Sequence, residues 1–179
     1  MVILDNFSNS QPPVLGRLAQ IVGHSMICER GDVLDRSWVQ GVLEAHNIDA
    51  VVHFAGCKAV GESMSNPLKY YRVNDGGTVS LLEAMQSADC RVVVFSSSAT
   101  VYGDPASSPI TEDFPRRPVN PYGLTKASCE DVLASVCNAD NRWRAGIFRY
   151  FNLVGVHSSG LIGDDPSGVP NQDAVYFWQ

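Results

Sequence analysis

Long apolar runs are missing from this 179-residue sequence, and none approaches the ~18 residues that cross a bilayer. The opening Met1-Val2-Ile3-Leu4 is too short for a signal-peptide core and stops at Asp5. Positive charge is scarce: 13 Lys and Arg stand against 19 Asp and Glu, a net charge of −6 that is unsuited to a nucleic-acid or anionic-membrane surface. Arg116-Arg117 is one of the few tight basic clusters, and a solvated loop is its plain reading. Cysteine is present but unpatterned. Cys28, Cys57, Cys90, Cys129 and Cys137 are odd in number, scattered and free of C-x-x-C spacing, which fits core filling in a reducing cytosol better than disulfides or a metal site. His24, His46, His53 and His157 are isolated, so no metal centre is expected. Internal repeats and low-complexity tracts are absent.

What remains is a globular chain, 45% hydrophobic and 18% charged, of single-domain length. Met1-Val2-Ile3-Leu4 reads as a strand that ends in the polar turn Asp5-Asn6-Phe7-Ser8-Asn9-Ser10. An acidic residue at a strand end either accepts from an adenine ribose, as in dinucleotide folds, or closes the strand with an Asx turn. Val14, Leu15, Leu18, Ile21 and Val22 recur at helical spacing, and residues 25–28 form a weak short strand. Asp32 either reaches an adenine amino group or caps the segment after it. Trp38, Val39, Val42 and Leu43 give an amphipathic helix over 35–46. The strand at 49–54 empties into Ala55-Gly56-Cys57-Lys58, small enough for a backbone to approach a flat ligand. Lys58 offers charge to a phosphate or sugar, or sits in solvent.

Asn66-Pro67 is read as capping a long helix to about residue 85, with Tyr70, Val73, Leu81 and Leu82 on its apolar face. Asn74 in its middle is a poor helix former; it has a side-chain task or, more plainly, an exposed polar position. Residues 145–151 form a last strand running into Asn152, and the stretch from His157 carries no clear element before Tyr176-Phe177-Trp178. Strands alternating with helices predict an α/β fold with a parallel sheet covered on both faces, and ligands at the strands' carboxyl ends.

The stretch around which the rest is organised lies between residues 91 and 126. Arg91-Val92-Val93-Val94-Phe95 is a buried strand emptying into Ser96-Ser97-Ser98. Asn120 is an N-cap and Pro121 suits the first helical position, so Tyr122 and Lys126 share one helical face, ~6 Å apart along the axis. A phenol of pKa ~10 becomes a base near pH 7 only with about 4 kcal/mol of preferential phenolate stabilisation, of which a nearby ammonium supplies part. A serine hydroxyl at a strand end can share the same substrate oxygen. Composition alone produces a Tyr-x-x-x-Lys often enough; with the strand-end serines and the capped helix, the set reads as proton-transfer machinery for oxidising an alcohol.

Asp5-Asn6-Phe7-Ser8-Asn9-Ser10, Val52-His53-Phe54-Ala55-Gly56, Ser96-Ser97-Ser98-Ala99-Thr100-Val101-Tyr102-Gly103, Asn120-Pro121-Tyr122-Gly123-Leu124-Thr125-Lys126 and Arg149-Tyr150-Phe151-Asn152 together resemble the UDP-glucose 4-epimerase family of extended short-chain dehydrogenases/reductases. The likeness runs to Asn171. It implies a doubly wound, Rossmann-like parallel sheet, bound NAD, and interconversion of UDP-glucose and UDP-galactose. By motif match Tyr122 is the base, Lys126 lowers its pKa and holds the nicotinamide ribose, and Ser98 orients the sugar hydroxyl. Asp5, Asn6, Phe7, Ser8, Asn9, Ser10, Asp32, Val33, Phe54, Ala55, Gly56, Lys58, Asn74, Ser96, Tyr150 and Phe151 line the cofactor with Tyr122 and Lys126. Lys58, Ser98, Tyr122, Asn152 and Asn171 approach the nucleotide sugar. The resemblance also implies a cytoplasmic enzyme that pairs as a homodimer through the helices at 66–85 and 121–136.

The implied mechanism removes the proton of the sugar 4-hydroxyl at Tyr122 while hydride passes to NAD; the 4-ketose turns over and is reduced on its other face. Related dehydratases carry an acidic pair after this strand, whereas Ser98-Ala99-Thr100 offers no carboxylate, so epimerisation is expected rather than loss of water. The family opens with a strand and a G-x-x-G-x-x-G loop whose amides hold the pyrophosphate, so roughly 25 residues of that pattern have no counterpart before Asp5. Residues 1–152 are therefore expected to form an incomplete NAD-binding Rossmann-like domain, and 153–179 the start of a substrate-binding region with a divergent tail. Leu153 stands where the family usually has proline. Poor NAD binding, or none, is accordingly expected of this chain alone. Epimerisation of another nucleotide sugar, such as a UDP-N-acetylhexosamine or UDP-uronate, and a non-catalytic Rossmann-like binding role are the alternatives.

Overall fold

The computed structural model describes residues 1–152 and 157–163. The chain separates into two compact units, Met1–Asp32 with Asn152–Gln179, and Val33–Phe151.

In the first unit β1 (Val2–Asp5) and β2 (Ile27–Arg30) pair in parallel, from Val2 opposite Ile27 to Asp5 opposite Arg30. The crossover is α1 (Pro13–Val22), which starts on Pro13 and ends at Gly23. Gly23 adopts φ 79°, which lets its N–H return to the Ala19 carbonyl at 2.9 Å.

The second unit carries a parallel three-stranded sheet in the order β3-β4-β5, formed by β3 (Ala50–His53), β4 (Val92–Ser98) and β5 (Arg144–Tyr150). Its helices are α2 (Arg36–Ala45), α3 (Val60–Ser65), α4 (Pro67–Tyr70), α5 (Gly77–Ser87) and α6 (Pro121–Ala139). Asp35 caps α2 by accepting from the Trp38 amide at 3.0 Å, and Val39, Val42 and Leu43 are buried as their spacing predicts. α2 packs on α5, whose Leu81, Leu82, Ala84 and Met85 are buried, while α6 packs on β4 and β5. Alternation along β4 turns Val93, Phe95 and Ser97 into the buried side. The other face keeps Val52 57%, Val92 40% and Phe148 53% exposed, so the expected covering of both faces is met on one.

Three local expectations are corrected. The long helix from Asn66 is interrupted: α4 passes into a π-helical turn at Tyr71–Gly76 before α5 begins. The Asn66 side chain makes no cap hydrogen bond, because Pro67 alone suffices to start the turn and α3 already runs up to Ser65. Arg116 is not a free loop cation; it pairs with buried Glu130 at 3.2 Å and with Asp131 at 2.5 Å. The missed element, α3, lacks a regular apolar stripe in Val60-Gly61-Glu62-Ser63-Met64-Ser65, which is why periodicity did not reveal it. Among the described residues, no helix is long and apolar enough to cross a membrane.

Candidate active site

β4 ends at Ser98, where the chain leaves the sheet for a 3₁₀ turn at Ala99–Tyr102. The Ser98 Oγ accepts from the Thr100 amide at 3.2 Å and from the Thr100 hydroxyl at 2.9 Å. Those two bonds use both acceptor positions of a hydroxyl, so its own proton remains to be donated. Ser98 lies close enough to the Tyr122 phenol to act on it in the direction of a lower pKa. Tyr122 sits in the first turn of α6, which Asn120 caps by accepting from the Gly123 amide at 2.8 Å. The Tyr122 ring meets Tyr70 edge-on at 6.4 Å. Tyr70 is fully buried, and its hydroxyl donates to the Ala59 carbonyl at 2.7 Å and lies 3.0 Å from Glu62. Sequence periodicity identified Tyr70 only as a core residue.

Lys126 follows one turn later and is 5% exposed. Its Nζ donates to the Ser96 carbonyl at 2.8 Å and lies 4.8 Å from the Phe95 ring centroid and 5.9 Å from that of Tyr122. Ser96 thus contributes its backbone rather than its hydroxyl. Burial lowers the Lys126 pKa. Burial also raises that of Tyr122, against which the neighbouring Ser98 works. The Lys126 ammonium is directed at the Ser96 carbonyl, and burial is the largest influence on the phenol.

Asn74 occupies the π-helical turn and is 3% exposed, so the plain reading as a surface polar residue is corrected. Its Oδ1 accepts from the Cys57 amide at 2.8 Å, and its Nδ2 donates to the Cys57 carbonyl at 3.1 Å and to the Thr125 hydroxyl at 3.0 Å. The loop after β3 is thereby clamped to α6. A Cβ at Gly56 would stand 2.9 Å from Asn74 Oδ1 and 3.9 Å from Lys126 Nζ, so glycine is required for this approach. Phe54, Ala55 and Lys58 are exposed. Tyr150 stacks on Phe148 at 6.3 Å, and Phe151 is 56% exposed. Beneath the site, His53 lies 3.0 Å from the Thr78 hydroxyl; burial, with the Lys126 charge, lowers its pKa to about 3. The Val33 carbonyl, at the start of the unit, accepts from the Ser80 hydroxyl at 2.8 Å.

The remaining predicted residues belong to the first unit. Asp5 Oδ1 accepts from the Phe7 amide at 2.6 Å and the Ser10 hydroxyl at 3.1 Å, the Asx-turn geometry. Phe7 adopts φ 55° with Arg30 over its ring at 5.8 Å. Asn6 donates to Asp32 at 3.0 Å and accepts from the Ser8 amide at 2.9 Å. Asn9 and Asn152 are exposed. Asn171 and Leu153 lie outside the described residues.

Residues 1–168 match the NAD dependent epimerase/dehydratase family. The chain belongs to that family. It is 50% identical, over its whole length, to a UDP-glucose 4-epimerase of Bacillus subtilis (strain 168), of which it covers 53%. Among solved structures, the UDP-glucose-4-epimerase of Stenotrophomonas maltophila, with bound NAD and formylated UDP-arabinopyranose, superposes with a TM-score of 0.93 at 41% identity, covering 96% of this chain and 51% of that one. The Bifidobacterium longum UDP-glucose 4-epimerase, in complex with NAD+ and UDP, gives a TM-score of 0.91 at 46% identity, covering 94% and 51%. The chain thus spans about half the length of the curated relatives it matches. Like other members of the epimerase/dehydratase family, it has an α/β fold with parallel sheets.

Proposed function

We propose that this chain carries the proton-transfer half-site of a UDP-glucose 4-epimerase, which interconverts UDP-glucose and UDP-galactose with bound NAD. The observation that carries the reading is the Ser98, Tyr122 and Lys126 arrangement at the carboxyl end of β4 and the start of α6. The donor set suits a dinucleotide. Lys126 Nζ gives one of its three N–H groups to Ser96, which leaves two for ribose hydroxyls, and Gly56 offers a side-chain-free surface beside it. When bound, NAD supplies the hydride acceptor and donor at sugar C4.

This chain's own residues do the rest. Ser98 presents a fixed hydroxyl whose one free proton is donated to the sugar oxygen beside Tyr122. Tyr122 takes the 4-hydroxyl proton and returns it when the ketone is reduced. Lys126 holds the ribose and brings positive charge within one helical turn of the phenol. Burial raises the Tyr122 pKa, so its activation depends on charge that arrives with the ligand. Asp5 and Asn6–Ser10 accept the adenine ribose, Asp32 and Val33 line the adenine, and Phe54–Lys58, Asn74, Tyr150 and Phe151 line the remaining cofactor surface. Asn152 and Asn171, with Lys58, approach the UDP-sugar. The same reading assigns a homodimer contact to α5 and α6, where Val79 and Leu124 are 42% and 43% exposed. It also assigns a cytoplasmic location, which the free cysteines favour.

The test is a fused enzyme in which this chain replaces the half that it matches in the Bacillus subtilis relative. Turnover of UDP-galactose by the fusion, reduced by about 10²-fold or more in Tyr122→Phe, supports the reading. A fusion that binds NAD yet shows the same trace rate in both forms sinks it.

A further inference from the structure

Glu130 lies four residues beyond Lys126 and eight beyond Tyr122, on the same stripe of α6, and is 3% exposed. A buried carboxylate is tolerated only when its oxygens are fully engaged. Here Oε1 accepts from the Ser97 hydroxyl at 2.5 Å and Arg149 Nε at 3.0 Å, while Oε2 accepts from Arg149 Nη2 at 2.7 Å and Arg116 Nη1 at 3.2 Å. Burial works to raise its pKa, but the bonds from Arg149 and Ser97 and the two guanidinium charges outweigh it and hold the carboxyl below its usual range. Arg149 extends the network by donating to the Tyr102 hydroxyl at 2.8 Å and the Glu112 carbonyl at 3.3 Å.

One carboxylate on α6 thus gathers the end of β4, the end of β5 and the loop that returns from Tyr102 to Asn120. The loop is seated tightly: a Cβ at Gly103, where φ is +64°, would fall 2.0 Å from the Arg117 carbonyl. Neighbouring residues on a strand point to opposite faces ~3.3 Å apart, so fixing Ser97 against the helix fixes where Ser98 stands on the other face. Nothing in this network reaches the reacting atoms. Its geometric effect is to lock the axial position of α6, and therefore of Tyr122, against the strand end that carries Ser98.

We infer that Glu130 is a positioning residue, which through Ser97 and Arg149 sets where the Ser98 hydroxyl stands relative to the Tyr122 phenol; the inference rests on the epimerase reading only for its consequence in turnover. The test uses the chain labelled with ¹³C-tyrosine. The Tyr122 Cζ resonance is identified by its loss in Tyr122→Phe, and Ser98→Ala defines its position when the Ser98 hydroxyl is gone. Ser97→Ala removes no charge and leaves both arginine pairs, so it is the gentler variant; Glu130→Gln is the stronger one. Both are expected to move the resonance at least halfway to the Ser98→Ala position. In the fused enzyme, Ser97→Ala is expected to lower kcat about tenfold while KM for UDP-galactose stays within twofold. A Tyr122 resonance unmoved by Ser97→Ala, or an unchanged kcat, overturns the inference. A fusion without turnover removes the epimerase reading instead, and the resonance alone then decides the role of Glu130.

Discussion

At the scale of single residues, burial shifts the ionisable groups of the candidate site. Desolvation raises the Tyr122 pKa and lowers that of Lys126, so in the proposed reaction any fall in the phenol's pKa depends on charge that comes with the ligand. Lys126→Met in the fused enzyme should therefore weaken NAD binding as well as slow turnover, whereas Tyr122→Phe should slow turnover with NAD binding within about threefold; equilibrium titration separates them. His53 makes a second prediction. Its folded pKa is about 3 against an ordinary 6.5, so between these values the unfolded chain binds a proton that the folded chain refuses. Stability contributed by neutral His53 is complete above pH 6.5 and is lost as pH falls toward 3. Between pH 7 and pH 5 the loss amounts to about 2 kcal/mol. Urea unfolding of His53→Gln, whose amide can still meet Thr78, should show a pH dependence shallower by that amount.

At the scale of elements, two asparagines that look alike in sequence behave differently. Both precede a proline, yet only Asn120 closes a cap, on the Gly123 amide at 2.8 Å. The Asn66 side chain caps nothing. Asn120→Ala should cost about 1 kcal/mol in urea unfolding, and Asn66→Ala no more than a few tenths. Equal losses would contradict this. The π-helical turn at Tyr71–Gly76 belongs to the same scale: the widened turn carries Asn74 to where its amide clamps the Cys57 backbone and the Thr125 hydroxyl.

At the scale of the whole molecule, one face of the three-stranded sheet carries Val52, Val92 and Phe148 at 40–57% exposure. Apolar area gathered on a sheet face drives association in water. Light scattering of the purified chain should rise with concentration, and the paired substitution Val52→Thr with Phe148→Thr should suppress that rise. Scattering unaltered by the pair would locate the association elsewhere.

The order of strands and helices, the cap at Asn120, and the Tyr122–Lys126 spacing were legible in the sequence because each depends on local periodicity or on a side chain reaching its own backbone. Asn74, Glu130 and the Arg116 and Arg149 pairings were not, because their partners lie 14 to 51 residues away along the chain. Sequence by itself determined which side chains are candidates for the chemistry. Only the tertiary structure decided the direction in which burial moves their pKa values and how they align, since burial and long-range hydrogen bonds exist only once distant segments have packed.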